Sequence, residues 1–308
     1  QAYMNLSFGT LGTAGWSTDP DVTEYLELGH HDPQGRGFTI QSAEIALDGA
    51  VDPYFRGFGN ICFGIEPDGH THVGLEEAYL LTTALPGNLQ VKAGEFLAEF
   101  GRQNTLHAHQ WSFVDQALVL DYMFGPPSLR NPGARLSWLV PTPFYTELTL
   151  GMFNGQGDSA FSYRASDKDA THGRTPLDRS LRGPGDLLYV PRLVSSFDLT
   201  DSQTLVVGAS AALGPNNSGE DARSQIYGVD LYWKWKPANA EHGFPFLAWQ
   251  TEAMYRRYDA GADMAAGLPA ETLEDWGFYS QFLWGFKRRW VAGLRGERVD
   301  GNSGAYDA

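Results

Sequence analysis

The chain has 308 residues, with 22 Lys and Arg against 37 Asp and Glu and a formal charge of −15. No cationic surplus exists to displace counterions from a phosphate backbone, so nucleic acid is excluded as a partner class. Aromatics reach 13% and glycines number 36, a composition of turns and aromatic girdles rather than of helical bundles. A single cysteine, Cys62, excludes an internal disulfide and a thiolate-ligated metal cluster, and no run of about 18 apolar residues is present to make a transmembrane helix. The start, Gln1-Ala2-Tyr3, lacks the basic and apolar regions of a signal peptide and reads as a processed end.

The dominant signal is alternation at period two, which sends successive side chains to opposite faces of a strand. In chain order it predicts strands at 2–9, 38–50, 53–65, 73–85, 88–98, 133–140, 144–152, 188–199, 202–213, 226–236, 246–256, 273–286 and 288–299. Over 144–152, Phe144, Leu148, Leu150 and Met152 oppose Tyr145, Glu147 and Thr149. Over 226–236, Tyr227, Val229, Leu231, Trp233 and Trp235 oppose Asp230, Lys234 and Lys236, and over 246–256, Leu247, Trp249, Ala253 and Tyr255 oppose Gln250, Glu252 and Arg256. Tight turn signals such as Asp52-Pro53, Pro86-Gly87-Asn88 and Lys287-Arg288 alternate with long polar connections at 10–36, 101–132, 154–187, 214–222 and 259–272. Short and long connections alternate this way in outer-membrane barrels, and aromatics near strand ends (Trp233, Trp235, Trp249, Trp284, Trp290) suit interfacial girdles. The expected fold is an all-β, transmembrane antiparallel β-barrel of the outer-membrane porin type, with 13–16 strands in one domain over 1–308. A soluble β-sandwich or β-helix, its apolar face filling a core, is the competing architecture.

The stretch Gly37-Phe38-Thr39-Ile40-Gln41-Ser42-Ala43-Glu44-Ile45, continuing through Asp52-Pro53-Tyr54-Phe55-Arg56-Gly57, resembles the paired strands of the phosphate-selective porin-like outer-membrane proteins. Glu76-Glu77-Ala78-Tyr79, Leu89-Gln90-Val91-Lys92-Ala93-Gly94 and Phe100-Gly101 are similar to that superfamily's next hairpin. His107-Ala108-His109-Gln110-Trp111-Ser112-Phe113-Val114-Asp115 resembles the zinc-regulated outer-membrane receptor relatives. The motifs cover about residues 37–125. The resemblance implies a Gram-negative outer membrane, lipid and small hydrophilic solutes or ions as partners, a homotrimer or a partner membrane protein, and about sixteen strands. Barrels of this type end in a strand with a terminal aromatic, whereas this chain stops at Gly304-Ala305-Tyr306-Asp307-Ala308, so closing strands are expected beyond it.

Pore-lining candidates are the polar residues on the predicted inward faces: Glu44, Asp48, Arg56, Lys92, Glu147, Asp230, Lys234, Glu252, Arg256, Arg295 and Glu297. Their mixed signs differ from the Arg ladder and Lys cluster of phosphate porins, and with acidic loops they predict weak cation preference or none. Replacing Asp230 with Leu is expected to cost little, and placing Arg at Leu231 is expected to cost about 2–4 kcal/mol.

Six of the eight histidines fall in His30-His31-Asp32, His70-Thr71-His72 and His107-Ala108-His109. In an extended chain each His-X-His pair points one way, so His70 with His72, or His107 with His109, offers two imidazoles to Zn²⁺, with solvated loop histidines the blander reading. No other cofactor is expected. Glu76-Glu77 and Asp167-Lys168-Asp169 read as solvated charge, because neighbours on a strand face opposite ways. Segment 101–132 carries Trp111, Phe113, Val114, Leu118, Val119, Leu120, Tyr122, Met123 and Phe124, and is either a loop folded into the barrel or a strand pair at 111–124. No nucleophile elbow, His-Glu-X-X-His or phosphate loop is present, so no enzyme is expected, although a barrel hydrolase drawing Ser and His from separate strands leaves no local motif. The expected function is a passive porin-like channel. The alternatives are a zinc-linked receptor or transport component and a soluble binding protein.

Overall fold

The computed structural model describes residues 3–16, 18, 36–65, 70–125, 128–164 and 172–301. Among these residues, thirteen strands form one sheet: β1 (Tyr3–Gly15), β2 (Gly37–Ala50), β3 (Phe55–Ile65), β4 (Thr71–Thr82), β5 (Leu89–Leu97), β6 (Arg130–Leu139), β7 (Tyr145–Phe153), β8 (Leu188–Thr200), β9 (Gln203–Pro215), β10 (Arg223–Trp235), β11 (Phe246–Ala260), β12 (Glu271–Lys287) and β13 (Trp290–Gly301). Each strand pairs antiparallel with its neighbours in sequence, so the sheet is an uninterrupted meander. Connections at one end are short, down to the two residues 288–289, while those at the other include 98–129 and 154–187.

The two faces have inverted polarity. On β12 the buried face carries Asp275, Tyr279 and Gln281, and the exposed face carries Trp276, Phe278, Phe282 and Trp284. Strand β11 buries Gln250, Glu252 and Arg256 and exposes Trp249 and Tyr255. A soluble sheet buries its apolar face, so this inversion marks a wall solvated by hydrocarbon outside. Outward aromatics form two bands of cross-strand neighbours, Tyr227, Tyr255 and Trp276 in one and Trp233, Trp249 and Phe282 in the other. Six residues at about 3.3 Å each put roughly 20 Å of strand between them, the separation expected of interfacial girdles once strand tilt is allowed for. Outward polar groups are satisfied within the wall: Trp249 Nε1 donates to Ser280 Oγ and Thr251 Oγ1 to the Tyr279 carbonyl.

The sheet is curled. Gln41 on β2 donates to the Val114 carbonyl at 2.8 Å and Arg295 on β13 to the adjacent Asp115 carbonyl at 3.0 Å, so opposite ends of the meander lie within reach of consecutive residues. Among the described residues, β1 pairs only with β2 and β13 only with β12.

Two local differences from the sequence reading have physical causes. Strand β1 continues past residue 9 to Gly15, held by its ladder to β2 where Gly and Thr erase the alternation. Segment 98–129 folds inward, which is one of the two expectations for it, and the α-helix α1 (Leu118–Phe124) stands where the other placed a strand pair. Its buried Val119, Leu120, Met123 and Phe124 join Phe96, Phe100, Phe153, Leu188, Ile226 and Tyr279 in an apolar core inside the barrel. The other difference is at Glu76 and Glu77, described below. His30-His31-Asp32, Asp167-Lys168-Asp169 and residues 302–308 lie outside the described residues.

Candidate functional site

The inward segment is anchored to the wall at several points among its described residues. The chain leaves β5 and turns at Gly101, whose φ is +57° and whose position would set a Cβ 2.0 Å from Glu252 Oε2, so both backbone angle and close approach require glycine. Glu252 accepts the backbone N–H of Arg102 at 3.1 Å, that of Gln103 at 2.7 Å, and the Tyr279 hydroxyl at 2.5 Å. Arg102 lies over the Tyr232 ring at 3.9 Å and donates to Gln250. The neck is closed by buried Asn104, which donates to the Ala98 and Leu129 carbonyls and accepts the Leu129 N–H.

On the far side, Arg295 pairs with Asp115 at 2.5 Å and Glu297 accepts the Leu118 N–H at the start of α1. Tyr122 donates to Asp275, which also holds Arg256 at 2.7 Å in a fully buried pair. Arg256 donates in addition to Ser162 in the next long connection, tying two connections to one guanidinium. Phe100 packs on Gly228, where a Cβ would come within 2.6 Å of its ring.

The eleven pore-lining candidates fall into separate groups. Asp230 and Glu252 are direct cross-strand neighbours, but Asp230 is held by Arg192 through bonds of 2.6 and 3.0 Å. Replacing Asp230 with Leu therefore leaves a buried guanidinium behind, which corrects the small cost expected from sequence. Arg256, Arg295 and Glu297 are the anchors already described, and Glu44 belongs to the histidine cluster below. Lys92 sits 4.6 Å from the Tyr79 ring centre and 3.5 Å from Glu99, which also pairs with Arg135. Asp48 and Arg56 pair at 2.7 Å near the short-turn end, Glu147 accepts the Tyr145 hydroxyl, and Lys234 lies over the Phe246 ring. Period-two alternation marks Asp275, Tyr279 and Gln281 on β12 as a polar face, yet Asn104, Arg192 and Asp115 carry no local signal of their roles.

Glu76 and Glu77 are not solvated. Asn60 pairs with Glu77 and Ile61 with Leu75, so Glu76 is the extra residue of a β-bulge, which turns both carboxylates to the buried face at 8% and 7% exposure. His107 lies between them, Nδ1 3.0 Å from Glu76 and Nε2 2.9 Å from Glu77. Two carboxylate acceptors require both ring nitrogens to donate, so His107 is an imidazolium. Burial opposes that charge, but the hydrogen bonds to the two carboxylates and their charges outweigh it and raise the pKa to about 10. His109 stacks on His107 with ring centres 5.7 Å apart and lies 3.3 Å from Glu44. The Asn60 carboxamide donates to both Glu44 and Glu76. His70 and His72 are exposed, with the His72 ring over Gly64, and lie outside this cluster.

An antiparallel meander, apolar outside and filled inside by an anchored loop, has the architecture of an outer-membrane β-barrel. No family model matches the chain. An uncharacterized protein of Aquifex aeolicus (strain VF5) is 34% identical over 280 residues, covering 87% of this chain and 55% of that protein. The chain thus spans about half the length of the curated relative it matches. Among solved structures, an anion-selective porin from Comamonas acidovorans superposes with a TM-score of 0.51 at 8% identity, covering 98% of this chain and 80% of that one. The outer membrane channel DcaP of Acinetobacter baumannii gives 0.45 at 14% identity over 97% and 91% of the two chains.

Proposed function

We propose that the protein is a passive channel of the Gram-negative outer membrane for small hydrophilic solutes or ions, narrowed by the 98–129 loop. The observation that carries this reading is the inverted polarity of β10, β11 and β12, with a charged inner face against an apolar outer one, together with a loop pinned to that inner face by Glu252, Asp275 and Arg295. Selectivity in such a pore follows from rings of charge and from constriction. Here Arg192–Asp230, Arg256–Asp275, Arg295–Asp115 and Arg135–Glu99 are paired, so these four pairs add little net field of either sign to the lumen. The excess of acid over base in the chain then decides, giving weak cation preference or none.

The test is single-channel recording of the full-length protein in planar bilayers under a KCl gradient. Stepwise conductance with a reversal potential near zero, or slightly toward K⁺, is expected. Absence of steps sinks the channel, and strong chloride or phosphate preference sinks the selectivity. Crosslinking in detergent is expected to give a homotrimer.

A further inference from the structure

We infer that Glu44, Glu76 and His107 form a binding site for one divalent transition-metal ion, with Zn²⁺ the best match, in the barrel interior between β2, β4 and the inward loop. One ligand atom from each lies within 4.8 Å of the others. Atoms about 2.0–2.2 Å from a shared ion stand at most roughly 4.4 Å apart, so small side-chain rotations close the set. Imidazole nitrogen with carboxylate oxygen selects zinc-class ions over Mg²⁺ or Ca²⁺, which take oxygen alone.

Two further observations point to a ligand. The bulge that places Glu76 beside Glu77 is a device for re-aiming a side chain, and here it brings three carboxylates to one small region. Their contacts include His107, His109, Asn60, Ser42 and the Leu97 N–H. Asn60 is 1% exposed, its Nδ2 lies between Glu44 and Glu76, and its Oδ1 is buried with no hydrogen-bond partner. A carboxamide donor between two carboxylates occupies the place a cation would take. Rotated by half a turn, it presents Oδ1 as a fourth ligand.

On binding, His107 releases its Nδ1 proton to solvent and that nitrogen takes the metal, while Nε2–H stays on Glu77. Glu77 is then a positioning residue that fixes the ring and its tautomer. Only His107 of the four histidines paired by sequence spacing is a ligand, with His109 stacked beside it.

Isothermal titration of the full-length protein in detergent with ZnCl₂ tests this. One equivalent is expected to bind, and MgCl₂ to give no saturable heat at the same concentrations. E76Q and H107Q are expected to weaken binding by about a hundredfold or more, and E77Q by roughly 10–100-fold, while the double variant H70Q/H72Q leaves it unchanged. Because H107Q also removes a loop anchor, the wild type is read separately through visible d–d absorption of bound Co²⁺, which Zn²⁺ should displace one for one. No saturable Zn²⁺ heat, no Co²⁺ bands, Mg²⁺ binding as tight as Zn²⁺, binding that survives E76Q and H107Q, or loss of binding in H70Q/H72Q would each overturn the site.

Discussion

Glu252 Oε1 on β11 accepts the backbone N–H of Gln103 at 2.7 Å, across 149 positions of sequence. This contact, with the parallel one to Arg102, makes the wall rather than the loop's own packing the determinant of where the loop begins its inward course. E252Q keeps the shape but turns one acceptor into a donor facing a backbone N–H. The cost should be about 1–3 kcal/mol, concentrated in the loop. Limited proteolysis in detergent should show faster cleavage within 101–129, accompanied by larger or noisier conductance. Unchanged cleavage and conductance would show that Glu252 does not hold the loop.

Gly101 combines a left-handed φ with contact against Glu252. G101A should therefore cost about 1–3 kcal/mol from backbone strain, with further loss from displacing the carboxylate. The folded and unfolded forms separated on a gel after graded heating give the readout. A midpoint equal to wild type would mean that the turn tolerates a Cβ.

Tyr227 and Val229 are 45% and 60% exposed, while neighbouring Asp230 is buried on Arg192. L231R should cost about 2–4 kcal/mol if the residue lies near the bilayer midplane. D230L should cost about 3–5 kcal/mol by stranding Arg192, and the double variant R192L/D230L should recover most of it. Refolding equilibria into lipid vesicles measure all three. A double variant no better than D230L would show that the pair is not the reason for the loss.

His172 in the 154–187 connection packs edge-on against Tyr258 at 4.6 Å. Burial, reinforced by the nearby Arg256 and Arg174 charges, pushes its pKa down to about 3. The unfolded chain takes up a proton near pH 6.5 that the folded one refuses, so stability falls as pH drops below about 6.5 and the full penalty is reached near 3. By pH 5 the loss should be about 2 kcal/mol. Hydrogen exchange in the connections around Arg174 and Gly261 should rise as pH is lowered, after correction for intrinsic rates, and H172F should flatten that dependence. A wild type with flat protection between pH 7 and 5 refutes the assignment.

Strand positions, the alternation of turn lengths and the outward face of β10 to β12 were legible in sequence, because a strand's two faces follow from a period of two with no knowledge of its partners. Tyr227, Val229, Trp249 and Asp230 show this: their faces depend only on parity. Glu76 and Glu77 show where parity stops. Whether adjacent residues share a face depends on a bulge, and a bulge exists only relative to the register of β3. The path of 98–129 was undetermined for a related reason, since a short apolar run suits a strand or a buried helix equally until the cavity that receives it is known. Arg192 with Asp230, Arg295 with Asp115 and His107 with Glu76 are 38, 180 and 31 positions apart. Such pairings are set by which strands curl to face which loop, so only the tertiary structure decided which charges the barrel leaves exposed and which it neutralises.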